Sequence, residues 1–155
     1  MTKRHDDFLR EAIEVAREGL KSGNPPFGSI VVVDGVIREK AFNTTRTENN
    51  SLAHGEINLL LKIRGALTSD EISRATMYAS NEPCPMCCGA IYWSGIRRVV
   101  YGSSRDALTK FRCFGLNVAC REIFERGTDS VSVIGPMLEN EVMPLYQHFY
   151  SKGGT

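Results

Sequence analysis

Apolar residues near the start of the chain recur at helical spacing: Phe8, Leu9, Ala12, Ile13, Val15, Ala16 and Leu20. This pattern predicts an amphipathic helix, with Gly19 or Gly23 as its stop. Asn24-Pro25-Pro26 then imposes a rigid loop. The run SIVVVDGVI places two β-rich segments around Asp34-Gly35, a strong hairpin signal. Residues 43–51 are polar and read as a loop. Ile57, Leu59, Leu60, Leu61 and Ile63 mark a second helix that ends near Gly65. Residues 75–80 read as a strand, 85–93 as a helix with proline in its first turn, and 98–101 as another strand. A helix over 118–126 stopped by Gly127, a short strand over 131–134 and a last helix over 139–150 complete the order.

A hairpin followed by alternating helices and strands implies an α/β fold. Its five strands form one mixed sheet, and the helices cover both faces as a three-layer α/β/α sandwich. At 155 residues the chain suits one domain, spanning 1–155. The formal net charge of +1 argues against a protein whose main task is to grip nucleic acid, which carries a clear positive surplus. No apolar run approaches the ~20 residues of a membrane span, and the N-terminus lacks a signal-type core. A cytoplasmic protein with no nucleic acid or membrane partner is expected.

The five cysteines, Cys84, Cys87, Cys88, Cys113 and Cys120, are odd in number and crowded. A secreted disulfide scaffold would show an even, dispersed set, so metal or thiol chemistry is the better reading. Cys84-Pro-Met-Cys87 taken alone fits either a redox pair or a metal site; His54-Gly55-Glu56 upstream favours metal. An imidazole and two thiolates suit Zn²⁺, and both segments lie at predicted helix starts, where unpaired N–H groups favour thiolate. Three ligands leave a place for water, whose pKa zinc lowers toward ~7. Glu56 stands where it could take that water's proton and pass it to a leaving group. Residues i and i+2 of a helix point to nearly opposite sides. His54 and Glu56 therefore converge only if His54 lies in the first turn or just outside it. Cys88 shares a helix face with Cys84 and reads as a packing residue. Cys113 and Cys120 read as inert thiols, and His5 and His148 as residues away from the metal.

The motifs AHGEINLL and SNEPCPMCCGAIYWSGIRRVVYG resemble the cytidine-deaminase-like superfamily over nearly the full chain. EPCPMCCGAIYW is similar to bacterial guanine deaminases, and HGE, with glycine in place of the commoner alanine, to fungal cytosine deaminase. The resemblance implies that His54, Cys84 and Cys87 hold zinc and that Glu56 shuttles protons. It implies a free nucleobase or nucleobase-like ring, guanine- or cytosine-type, as substrate, with release of ammonia. Asn43 matches an asparagine that hydrogen-bonds the ring edge, though a turn role is the alternative. Phe27 matches a pocket-lining position, with a plain core aromatic as the alternative. Asp106 lies near the position of an aspartate that meets the base across a dimer interface, about one residue out of register. A homodimer is implied. The rival readings are a tRNA-specific adenosine deaminase and a non-catalytic zinc-stabilised module. The tail LENEVMPLYQHFYSKGGT lacks the basic helix expected of the first. The C-terminal aromatics Tyr146, Phe149 and Tyr150 could stack on a ring or cover the core.

Overall fold

A computed structural model of the chain describes residues 4–111 and 115–154. The first helix, α1 (His5–Lys21), carries Asp6 and Asp7 in its first turn, where acidic groups meet the positive end of the helix dipole. Strands β1 (Gly28–Val33) and β2 (Val36–Phe42) form the expected hairpin. Asp34 and Gly35 both take positive φ, at 51° and 78°, as a two-residue turn matched to strand twist requires. Then follow α2 (Gly55–Ile63), α3 (Ser69–Arg74), β3 (Thr76–Asn81), α4 (Pro85–Ser94) and β4 (Arg98–Ser103). The short helices α5 (Arg105–Thr109) and α6 (Cys120–Phe124), strand β5 (Ser132–Ile134) and α7 (Glu139–Ser151) complete the chain.

The strands form one mixed sheet in the order β2-β1-β3-β4-β5. β1 pairs antiparallel with β2 and β3, while β3, β4 and β5 run parallel. Period-2 alternation splits the buried side chains between two helical layers. Ile30, Val32, Tyr78 and Val100 pack with Phe8, Leu9, Ala12 and Val15 of α1. Val31, Val33, Met77, Val99 and Tyr101 face the opposite side, against Leu59 and Ile63 of α2, Cys88 and Ile91 of α4, and Phe124 of α6. Helix α7 joins α1 through Val142, Leu145 and Tyr146 against Ile13 and Ala16. The three-layer sandwich is therefore as expected.

Two helices were not in the sequence-based reading. α3 opens with a capping box, in which the Thr68 hydroxyl accepts from Glu71 N at 3.2 Å and Thr68 N donates to the Glu71 carboxylate at 2.9 Å. α5 is capped by Ser104, whose Oγ accepts from Ala107 N. The helix expected over 118–126 is confined to Cys120–Phe124.

β1 lies so close to α1 that only glycine fits at its first position. A Cβ at Gly28 would lie 2.6 Å from Ala12 O and 2.8 Å from the Val15 carbonyl carbon, and nearer still to Ala16 N. Because these are backbone atoms of a helix, rotamer changes cannot relieve the clash. Gly28→Ala is expected to lower stability by about 2–3 kcal/mol in urea unfolding. An unchanged midpoint would show that α1 stands further from the sheet.

Candidate active site

One end of the sheet gathers the carboxyl ends of β2, β3 and β4 beside the start of β1, as the pairings Gly28↔Phe42, Ser29↔Ala79 and Asn81↔Ser103 show. Helices α2 and α4 begin there. His54 is the N-cap of α2 (φ −70°, ψ 154°) and Cys84 the N-cap of α4 (φ −70°, ψ 167°), both in extended conformation. His54 thus stands just outside its helix, while Glu56 is within the first turn, and the i, i+2 conflict disappears. Pro85 occupies the first turn of α4, where its missing N–H costs no hydrogen bond.

His54, Cys84 and Cys87 offer ligand atoms that all lie within 4.8 Å of one another. The Sγ atoms of Cys84 and Cys87 are each 3.6 Å from His54 Nδ1. Zinc–nitrogen and zinc–sulfur bonds of ~2.0–2.1 and ~2.3 Å at a tetrahedral angle require about 3.6 Å between N and S. The donor set and its spacing therefore fit zinc. The hydrogen bond from Cys87, helped by His54 and the Cys87 backbone N–H, lowers the Cys84 thiol to about 4 against the cost of burial. The Cys87 thiol is pushed up, as its proton bridges to Cys84 and it is buried. His54 is raised by its hydrogen bond to Cys84. Cys88 is buried but directs its thiol to Pro83 O at 3.4 Å, outside the metal group, as a packing residue should. Cys120 is buried too, while Cys113 lies outside the described residues. His148 is exposed, and His5 is hydrogen-bonded to Tyr78, so neither joins the group.

Glu56 is buried, with Oε2 3.4 Å from Cys87 Sγ, and burial raises its hold on a proton. Glu56, His54 and Cys84 line a cavity of about 770 Å³, within the range of small-molecule sites. Asn43 and Phe27 line the same cavity. Asn43 is buried; its N donates to Phe27 O at 2.9 Å, and its Oδ1 accepts from Thr45 N and Oγ1 at 2.9 and 2.8 Å. Asn58 holds this loop onto α2 by donating to Phe42 O and Thr44 Oγ1, both at 2.9 Å. Gly55 fits between these segments: a Cβ there would meet Phe27 O at 3.2 Å and Asn43 N at 3.4 Å. Even an alanine there would require these backbone atoms to give by a few tenths of an ångström.

Asp106 is not brought to this cavity. It is exposed on α5 and accepts from Asn117 Nδ2 at 3.4 Å. Its neighbour Arg105 lines the cavity instead. The C-terminal aromatics divide their work. Tyr146 is fully buried and donates to Asn81 Oδ1 at 3.1 Å, so it braces the loop that carries Cys84. Tyr150 lines the cavity, stacked on Phe111 with ring centroids 5.6 Å apart, and Phe149 lies under Arg46.

Glu82 is a residue that sequence reasoning missed. Its buried carboxylate accepts from Arg105 N at 2.9 Å and Cys120 N at 2.8 Å, tying α5 and α6 to the segment before Cys84. An acidic residue directly before Pro-Cys was the available signal, but acidic residues are ordinarily exposed.

A mixed sheet with a His-Cys-Cys group at adjoining helix starts and a buried carboxylate beside it defines a metal-dependent hydrolase site. Residues 2–103 match the cytidine and deoxycytidylate deaminase zinc-binding region, and the chain belongs to this family. It is 32% identical to a probable cytosine deaminase of Schizosaccharomyces pombe, over 94% of this chain and 92% of the relative. Identity to the tRNA-specific adenosine deaminase of Bacillus subtilis is also 32%, over 92% of this chain and 86% of that protein. The solved structure of a guanine deaminase from Nitrosomonas europaea superposes with a TM-score of 0.82 at 22% identity, covering 97% of this chain and 86% of that one. The protein is a deaminase, a hydrolase of C–N bonds with zinc as its cofactor.

Hydrogen bonds to a charged acceptor contribute about 1.5–3 kcal/mol each, so Glu82→Ala is expected to cost about 3 kcal/mol or more. Glu82→Gln keeps a carbonyl acceptor and should lose less. Equal losses for the two variants in urea unfolding would remove the carboxylate from this account.

Proposed function

We propose that residues 1–155 form a single deaminase domain that removes the exocyclic amino group of a free nucleobase or nucleobase-like ring, guanine- or cytosine-type, as ammonia. The observation that carries this reading is the Glu56 carboxylate, buried in the same cavity as a three-residue ligand group. Three ligands suit a catalytic zinc rather than a closed structural one. His54, Cys84 and Cys87 would hold the metal, which would supply Lewis-acid activation of a water at neutral pH. Glu56 would serve as the proton carrier, taking a proton from the attacking water and giving it to the departing amine. Its raised proton affinity suits the second of these tasks. Asn43 presents its amide to the ring edge, and Phe27 offers an apolar wall.

The tRNA-directed reading is supported by several relatives that are tRNA adenosine deaminases, the Bacillus subtilis enzyme among them. Against it, Arg105 is the one arginine or lysine among the described residues that line the cavity. A tRNA backbone calls for several. No helix among the described residues is long and apolar enough to cross a membrane. We place the enzyme in the cytoplasm on the strength of its cysteine pattern.

The proposal includes a homodimer, in which Asp106 reaches a base only from a neighbouring subunit. Trp93 of α4 is 87% exposed and Leu61 of α2 57% exposed, both on the layer opposite α1. Light scattering is expected to give twice the 17.2 kDa chain mass, and Trp93→Glu to shift it toward monomer. A fully active monomer would remove the dimer from the proposal.

Ammonia release by the zinc-loaded protein, measured against free bases, nucleosides and a tRNA anticodon stem-loop, tests the main reading. Rapid turnover of a free base is expected, and Glu56→Ala should abolish it while zinc stays bound. Turnover confined to the stem-loop would overturn the small-molecule reading. Activity surviving in Glu56→Ala, or zinc lost from it, would overturn the role of Glu56.

A further inference from the structure

We infer that Arg105 selects oxo-substituted rings, by donating a two-pronged hydrogen bond to a carbonyl oxygen and its neighbouring ring nitrogen. The inference rests on the cavity being the site of a ring substrate, and it narrows the class of ring. Arg105 is the first residue of α5, directly after the segment leaving β4, and its side chain lines the cavity with His54, Glu56 and Asn43. Its Nε is buried without a hydrogen-bond partner. No ion pair or side-chain hydrogen bond engages its guanidinium among the described residues. The two carboxylates that line the cavity are committed elsewhere: Glu82 to backbone N–H groups, and Glu56 beside Cys87.

A buried guanidinium donor without an acceptor is unfavourable, and such groups in folded proteins ordinarily have partners. Nε itself is closed off from the cavity, so a ligand there meets the terminal Nη groups, one of which lies beside the cavity residue Gly115. The guanidinium fork presents parallel N–H groups that match two acceptors in one plane, as a ring carbonyl with an adjacent nitrogen provides. Cytosine and guanine carry such an edge. Adenine carries no carbonyl and offers half of the match.

The position of the fork is fixed independently of any ligand. Arg105 N donates to Glu82, Ser104 N donates to the Glu139 carboxylate at 2.9 Å, and Ser104 Oγ caps α5. The backbone under the side chain is therefore anchored to the segment preceding Cys84 and to α7. A substitution at Arg105 leaves these contacts intact, because they use the main chain of Arg105 or belong to its neighbours.

The test measures binding without turnover, by calorimetry on the zinc-loaded Glu56→Ala protein, with Arg105→Gln and Arg105→Lys added to it. Two matched pairs serve as probes: cytosine with 4-aminopyrimidine, and guanine with 2-aminopurine, the second of each lacking the carbonyl. Loss of a bidentate arginine contact should weaken the oxo compound about 10- to 100-fold and leave its partner nearly unchanged. Lysine keeps the charge but not the fork, so Arg105→Lys should also weaken oxo binding. Equal weakening of both members of a pair, or of neither, overturns the inference. Ammonia release by the unsubstituted enzyme judges the underlying reading separately: selective binding with no turnover of any base overturns the deaminase reading of these rings and leaves Arg105 as a reader of oxo edges. Failure of both oxo compounds to bind with Arg105 intact overturns both.

Discussion

Two helix starts that meet at one end of the sheet are the constraint on which the site depends. His54 and Cys84 are both N-caps in extended conformation, so their side chains leave the helix axes and turn toward each other. A cap is the position where a side chain can face across to a neighbouring helix while the next turn aims elsewhere. Within the first turn, Glu56 and Cys87 come back to the same point from the helical side. Four chemically active groups thus converge with ordinary helical geometry and two extended residues. Packing of α2 on α4 over the same sheet face then fixes the separations to the 3.6 Å that a tetrahedral metal needs.

Holding two helix starts against each other would expose unpaired polar groups were the surrounding segments not tied down. Glu82 resolves this for the segment ahead of Cys84, since one carboxylate satisfies the backbone of both α5 and α6. Tyr146 does the same from α7 through Asn81, and Asn58 from α2 toward the loop that carries Asn43. Each strut is a buried or half-buried polar group with its partner in place, which favours one arrangement over nearby alternatives. Against that background the unanswered Nε of Arg105 stands out. Among the described residues Asn24 Nδ2, Ser29 Oγ and Arg105 Nε are buried without partners, and of these three residues Arg105 alone lines the cavity.

Much of this was legible in the chain itself. The continuous apolar run Ile30 to Val33 and the helical spacing of Phe8, Leu9, Ala12 and Val15 marked a strand and a helix, because burial acts on every residue of a long element. The triad was legible because soft ligands and a carboxylate at close spacing have few other uses. What escaped were α3 and α5, six and five residues long, whose capping signals at Thr68 and Ser104 are local and easily lost among polar residues. Glu82 escaped for a different reason. Its role exists only because β3 and β4 are parallel neighbours and their trailing loops cross, which no local pattern encodes. Asp106 and Arg105 show the same limit at finer grain. Adjacent on a short helix, they point to different environments, and the phase of five residues decides which one lines the cavity.

This difference in legibility follows a division of labour within the site. The groups proposed to hold metal and move protons come from the starts of α2 and α4, in short motifs. The groups that could recognise a substrate come from separate places: Phe27 before β1, Asn43 after β2, Arg105 after β4, and Tyr150 at the end of α7. Hydrolysis of a C–N bond makes the same demands whatever ring bears it, so the first set must stay at fixed spacing. Recognition demands a different set of donors for each ring, and loops leaving the sheet can supply that without disturbing the helix starts. The family relationship therefore establishes the reaction class, while relatives of equal identity are a probable cytosine deaminase and a tRNA-specific adenosine deaminase. Substrate choice has to be argued from the cavity wall, where Arg105 is the strongest unspent group.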